Sequence, residues 1–217
     1  MHRERVRVKI CGITNQADAE AAIAAGADAL GFNTWTGSKR YIDLEQNRSW
    51  LRDLPPFVTK VALLVNAPLS EAERIGRLPF IDALQLHGDE DAAYCAQVRE
   101  FGKPHIKALR ARSIDDFSQL SDFYTRVFLI DAHVAGLFGG TGVRVNLDLA
   151  SEFSHRFPQY SLVLAGGLNA ENITEAVQRI RPFAVDVSSG VEATPGRKDQ
   201  DLMRAFVNGV RQAETIR

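Results

Sequence analysis

Eight short apolar runs, separated by amphipathic stretches rich in alanine and charge, repeat from one end of this 217-residue chain to the other. The runs fall near 6–13, 27–33, 58–65, 81–87, 104–109, 126–132, 161–165 and 183–187. Between and after them lie helix-period segments near 17–25, 43–53, 70–77, 89–101, 113–122, 147–156, 170–180 and 200–213. A strand buried on both faces reads as a short continuous apolar run, and a helix covering it has one apolar stripe. Eight such units predict an α/β chain folded as a single (β/α)8 TIM barrel over residues 1–217. A doubly wound open sheet uses the same alternation. It usually carries Gly-x-Gly-x-x-Gly after its first strand, which this chain lacks, and the even spacing favours closure.

Composition narrows the partners. At 45% hydrophobic and 24% charged residues, the chain can bury a sizeable core in one domain. The formal charge of -1 argues against nucleic acid or an anionic membrane as the main partner. Arg7 and Lys9 interrupt the first apolar run, so it does not read as a signal peptide. No stretch approaches the roughly eighteen apolar residues of a membrane span, and a cytoplasmic location is expected. The two cysteines, Cys11 and Cys95, make no disulfide framework, and no Cys/His spacing suggests a metal site. Both thiols are expected to be reduced, with Cys95 in the core of a helix.

In a barrel the active site forms at the C-terminal ends of the strands. Here those ends are polar: Cys11, Asn33, Gln85, His87, Asp131, Gly166-Gly167, and Asp186 followed by Ser188-Ser189-Gly190. Side chains alternate along a strand, so Val8 and Ile10 face the helices while Lys9 and Cys11 face inward. The same parity turns Gln85, His87, Asp186 and Ser188 inward. Closure makes the first and last strands neighbours, which predicts an ion pair between Lys9 and Asp186 inside the barrel.

Cys11 and Asp131 are the acid/base candidates, since an isomerisation needs one group to accept a proton and another to donate one. A small buried thiol is the plainer reading of Cys11, and a carboxylate held by loop amides that of Asp131. The glycines and serines after the last two inward runs suit a phosphate, because backbone N–H groups can surround it there at low steric cost. Arg40, in the loop after the second run, can bind a carboxylate through two parallel hydrogen bonds or remain a solvated surface arginine. His87 reads as a base or as a rim histidine held by hydrogen bonds. Gly139-Gly140-Thr141-Gly142 reads as a lid with amide donors or as a plain surface loop.

Taken in order, these segments resemble the phosphoribosylanthranilate isomerase family of tryptophan biosynthesis. The resemblance rests on Lys9-Ile10-Cys11-Gly12-Ile13-Thr14, Gly31-Phe32 with Ser38-Lys39-Arg40-Tyr41-Ile42, Gln85-Leu86-His87-Gly88 and Leu129-Ile130-Asp131-Ala132. It continues through Gly139-Gly140-Thr141-Gly142, Ala165-Gly166-Gly167-Leu168 and Asp186-Val187-Ser188-Ser189-Gly190-Val191-Glu192.

What the resemblance implies is a cofactor-free Amadori rearrangement of N-(5-phosphoribosyl)anthranilate. Asp131 would act as acid on the ring oxygen, Cys11 as base at C2, and Arg40 as the grip on the anthranilate carboxylate. Gly166, Gly167, Ser188, Ser189 and Gly190 would hold the phosphate. Lys9, Gln85, His87, Asp186 and the Gly139–Gly142 segment would complete the pocket. A monomer is expected, with a homodimer as the alternative. An isomerase of a related phosphorylated aminosugar, or a catalytically silent phosphate-binding barrel, are the competing functions.

Two positions depart from the family pattern. Lys39 stands where the family has proline, which predicts a less rigid loop around Arg40. After Gly142 the chain reads Val143-Arg144-Val145-Asn146-Leu147, without the family's aromatic residue.

Overall fold

The computed structural model describes residues 5–131 and 146–215. Eight parallel strands close into a barrel in sequence order, with β1 hydrogen-bonded to both β2 and β8. They are β1 Arg7–Cys11, β2 Ala29–Asn33, β3 Thr59–Leu64, β4 Ala83–Leu86, β5 His105–Leu109, β6 Val127–Ile130, β7 Ser161–Leu164 and β8 Ala184–Val187. The helices around them are α1 Gln16–Ala25, α2 Arg48–Asp53, α3 Leu69–Gly76, α4 Ala92–Arg99, α5 Leu147–Arg156, α6 Ile173–Ile180 and α7 Gln200–Thr215. The last helix packs on both α1 and α6, which closes the outer ring.

Strand parity decides which side chains meet. Val8, Ile10, Leu84, Leu86, Val185 and Val187 join the core between sheet and helices. Ala108, Leu129, Val163, Ala165 and Ala184 form a separate cluster of small and branched residues inside the barrel. The lumen is thus filled by side chains, and a cavity opens at the strand ends. Several of the helices that follow begin at side-chain caps. Asn15 accepts the Asp18 N–H at the start of α1, and Asp91 accepts the Tyr94 N–H at the start of α4. Asn146 accepts both the Asp148 and Leu149 N–H groups at the start of α5. Each cap satisfies N–H groups that have no partner within the helix.

Two helical expectations are corrected. The segment expected over 113–122 is two 3-10 turns, Ile114–Phe117 and Leu120–Phe123. Ile114, Phe117, Leu120 and the following Phe123 recur every third residue, which matches three residues per turn rather than 3.6. Ser113 and Asp116 form a capping box that fixes the first turn. The turns pack onto α5 through their rings, with Phe117 edge-on to Phe153 at 4.9 Å between centroids. The helix expected from 43 begins only at Arg48, because the Asp43 carboxylate takes the Glu45 and Gln46 N–H groups into a turn.

Candidate active site

A cavity of about 380 Å³ opens at the C-terminal ends of the strands. It brings together Cys11, Arg40, Gln85, His87, Asp131, Gly166, Gly167, Asp186, Ser188 and Ser189, all expected there from the sequence. Two expected residues do not line it. Lys9 lies buried on β1, and Gly190, in the turn after β8, packs against Leu168 and Asn169 of the loop after β7. The segment Gly139-Gly140-Thr141-Gly142 lies outside the described residues.

The base of the site is an ion pair. Lys9 and Asp186 occupy paired register positions on β1 and β8, and Lys9 Nζ donates to Asp186 Oδ1 at 2.9 Å with both side chains withdrawn from water. Closure and parity together predicted this contact. Burial alone would lower the Lys9 pKa, but Asp186 and the Cys11 sulfur hold the ammonium above its ordinary pKa.

Cys11 feels the same surroundings with opposite sign. Burial pushes its thiol up, Lys9 and Lys198 pull it down, Asp186 pushes it up again, and the net direction is upward. A thiol in this state ionises rarely near neutrality, and the thiolate it forms is a strong base. The charge of Lys9 favours the thiolate, yet burial outweighs it.

Across the strands, Gln85 Nε2 lies 2.8 Å from His87 Nδ1, and His87 Nε2 lies 3.4 Å from Asp131 Oδ2. The His87 Nε2, Gln85 Oε1 and Ser188 Oγ atoms are buried without a hydrogen-bond partner. Such groups carry a desolvation cost that a ligand can relieve. Gly12 has φ of +78°, and a Cβ there would meet Arg40 Cδ at 2.5 Å and Ser188 Oγ at 3.0 Å. Glycine after the cysteine lets the strand-two and strand-eight loops converge over β1.

Arg40 is neither loose nor solvated. Its Nε and Nη2 donate to Glu192 Oε1 and Oε2 at 2.8 and 2.7 Å. The loop before it is pinned despite the missing proline. Asn33 takes the Trp35 N–H and donates to Ser38 Oγ, which accepts the Arg40 N–H. Lys39 itself is exposed, so side-chain hydrogen bonds do what the ring would have done.

Sequence reasoning gave no role to Glu192 and overlooked Lys198. Both lie on a small hairpin after β8, formed by β9 Glu192–Thr194 and β10 Arg197–Lys198. Lys198 Nζ donates to Glu192 Oε1 at 2.9 Å and to Ser188 O at 3.0 Å. The Pro195-Gly196 dipeptide between the strands is the turn signal that could have found it. Among the described residues no group of three His, Cys, Asp or Glu could hold a metal ion, and no helix is long and apolar enough to cross a membrane.

Fold and cavity together define a (β/α)8-barrel enzyme suited to proton transfers on a small anionic molecule. Comparison with known proteins makes the class specific. The family model for N-(5'phosphoribosyl)anthranilate (PRA) isomerase matches residues 8–209. The N-(5'-phosphoribosyl)anthranilate isomerase of Acidithiobacillus ferrooxidans is 46% identical over 211 residues, covering 95% of this chain and 98% of that one. The crystal structure of phosphoribosyl anthranilate isomerase from Thermotoga maritima superposes with a TM-score of 0.85 at 38% identity, over 95% of this chain and 99% of that one. A second crystal structure of such an isomerase is in complex with reduced 1-(o-carboxyphenylamino)-1-deoxyribulose 5-phosphate. It gives a TM-score of 0.81 at 37% identity, with the same coverage. The chain belongs to the phosphoribosylanthranilate isomerase family.

Proposed function

We propose that this enzyme converts N-(5-phosphoribosyl)anthranilate into 1-(2-carboxyphenylamino)-1-deoxyribulose 5-phosphate by general acid/base catalysis in a single-domain barrel. The observation that carries the reading is the meeting of Cys11 and Asp131 in one cavity whose rim holds an arginine fork and two small-residue loops. Asp131 donates its proton to the furanose ring oxygen, the C1–O bond breaks, and the amine nitrogen lone pair forms a Schiff base at C1. Cys11, as thiolate, then removes the C2 proton to give an enolamine. Tautomerisation of that species leaves the ketone at C2 and returns the protons. No electrons leave the substrate, so the sequence requires no redox cofactor.

The two ends of the substrate are held apart from the reacting bonds. Arg40 faces the anthranilate carboxylate, and Gly166, Gly167, Ser188, Ser189 and Gly190 serve the phosphate, with the unpartnered Ser188 hydroxyl supplying one donor. Binding energy from such remote groups supports the chemical step when it orients the reacting centre. All of these residues come from one chain, so a monomer suffices for the site, and the cytoplasm is the compartment we assign.

The test is turnover of N-(5-phosphoribosyl)anthranilate by Cys11→Ala and Asp131→Asn. Each loses about 10²–10⁴-fold in kcat, the range of a lost general acid or base. A protein that only binds the phosphorylated ligand would show no turnover to lose, and an aminoimidazole-bearing ribosyl phosphate turned over in preference would replace the assigned substrate.

A further inference from the structure

Glu192 is the most heavily bonded carboxylate at the site and has no part in the proton transfers. Its side chain is 4% exposed, against 15% for Arg40 and none for Lys198. It accepts from Arg40 Nε and Nη2, from Lys198 Nζ, and from the Gly196 N–H at 3.3 Å. A guanidinium has five N–H bonds, and the side-on grip of a carboxylate uses one on Nε and one on Nη2. The end-on fork, Nη1 with the remaining Nη2 proton, is left over. Lys198 Nζ meanwhile reaches Ser188 O, the start of the loop that we assign to the phosphate.

We propose that Glu192 is a positioning residue that sets the enzyme's preference for a carboxylated aromatic amine, by fixing Arg40 so that its end-on fork faces the substrate carboxylate and by tying that fork through Lys198 to the Ser188 loop. This rests on the assignment of Arg40 to the anthranilate carboxylate. Three features support it. A planar fork held along one edge has only its other edge to offer, so the orientation is selected before substrate arrives. Burial pushes the Glu192 carboxyl up, yet the hydrogen bond from Arg40 and the charge of Lys198 bring it below its ordinary range, so the anchor stays ionised. The link from Arg40 through Glu192 and Lys198 to Ser188 also fixes the spacing between the two anion-binding ends of the pocket.

The experiment measures inhibition constants for reduced 1-(o-carboxyphenylamino)-1-deoxyribulose 5-phosphate and for its counterpart with a plain phenyl ring. The ratio of the two constants is the carboxylate preference. In Arg40→Met the preference collapses toward unity. If it persists there, Arg40 does not bind the carboxylate, and the present inference falls with that assignment. In Glu192→Gln the preference drops about tenfold while the phenyl compound binds nearly as in the wild type, because one charge-assisted contact loses its alignment. KM for the natural substrate rises in that variant with little change in kcat, as expected for loss of uniform binding. If Arg40→Met abolishes the preference but Glu192→Gln keeps it, or weakens both inhibitors equally, Glu192 is merely structural and the inference is overturned. Should thermal unfolding show that Glu192→Gln does not fold, Glu192→Asp, which keeps the charge for Lys198 but shortens the reach to Arg40, carries the same comparison.

Discussion

Replacing Lys9 by methionine should do two separable kinds of damage, one to stability and one to the pH dependence of turnover. The Lys9 ammonium and Asp186 carboxylate lie 2.9 Å apart with side chains 5% and 8% exposed. Removing one partner of a buried pair strands the other charge and costs about 3–5 kcal/mol. At about 2–4 °C per kcal/mol for a chain of this size, the melting temperature falls by about 6–20 °C. The desolvation of both ions works against the pair, however, so removing both charges is far cheaper than removing one. Lys9→Met combined with Asp186→Leu should restore the wild-type melting temperature or exceed it, by an amount on the order of 1–4 kcal/mol in stability.

Activity should not recover in step. Lys9 is the strongest of the charges that pull the Cys11 thiol down against its burial. Without the ammonium the thiol ionises at higher pH, so the acidic limb of the kcat/KM profile moves upward in the single variant and turnover at neutral pH falls. In the double variant the upward push of Asp186 is gone as well, and the limb lies between those of the single variant and the wild type. Thermal unfolding and pH-rate profiles of the three proteins are the assays. A double variant as unstable as the single one would refute the stranded-charge account, and an unmoved acidic limb in Lys9→Met would refute the electrostatic one.

Two further outcomes follow from other contacts. A Cβ on Gly190 would stand 1.9 Å from the Leu168 carbonyl oxygen, so Gly190→Ala must push the loops after β7 and β8 apart. We expect a loss of about 1–3 kcal/mol in stability and a rise in KM, and a variant with wild-type KM would uncouple these loops from the phosphate. Burial pushes the Cys95 thiol up to about 11 from its ordinary value of 9.0. Folding therefore favours the protonated form, whose contribution is intact below pH 9 and is lost as pH rises toward 11. Urea midpoints of Cys95→Ala should decline less steeply than wild type across that window, and equal slopes would remove Cys95 from the alkaline behaviour.

The barrel was legible because its signals are local and repeated. Strand parity at Val8, Lys9, Ile10 and Cys11 needs only the two-residue period, and adding closure was enough to pair Lys9 with Asp186. The proposed acid/base pair and the glycine loops sit where strands stop, which the apolar runs mark. Legibility failed where the period itself changes or is absent. Ile114, Phe117, Leu120 and Phe123 repeat every three residues, and reading that as a helix mistook one period for another. Glu192 and Lys198 act from an irregular hairpin, and their partners Arg40 and Ser188 are brought to them only by tertiary packing. A charged residue outside any periodic element gives no local hint of the face it will meet.

Gln85 shows how far parity reasoning reaches once a single distance is added. Its amide nitrogen can only donate, so at 2.8 Å from His87 Nδ1 it makes that nitrogen an acceptor. The Nε2 atom, free to carry the ring N–H, lies 3.4 Å from Asp131 Oδ2 and outside hydrogen-bond geometry. The Asp131 carboxylate lies close to that N–H. The buried amide thus selects the tautomer that can steady the carboxylate once Asp131 has acted as the proposed acid. Gln85→Glu reverses the selection, because a carboxylate accepts and Nδ1 must then carry a proton. Nitrogen-15 shifts of the His87 ring should report an Nε2–H tautomer in the wild type and a protonated Nδ1 in the variant. If the Nε2–H contact forms as charge develops on Asp131, its loss is that of one hydrogen bond to a charged group, and kcat falls about 10- to 100-fold. A wild-type ring protonated on Nδ1 would overturn the tautomer assignment, and a variant with unchanged kcat would show that Asp131 works without His87.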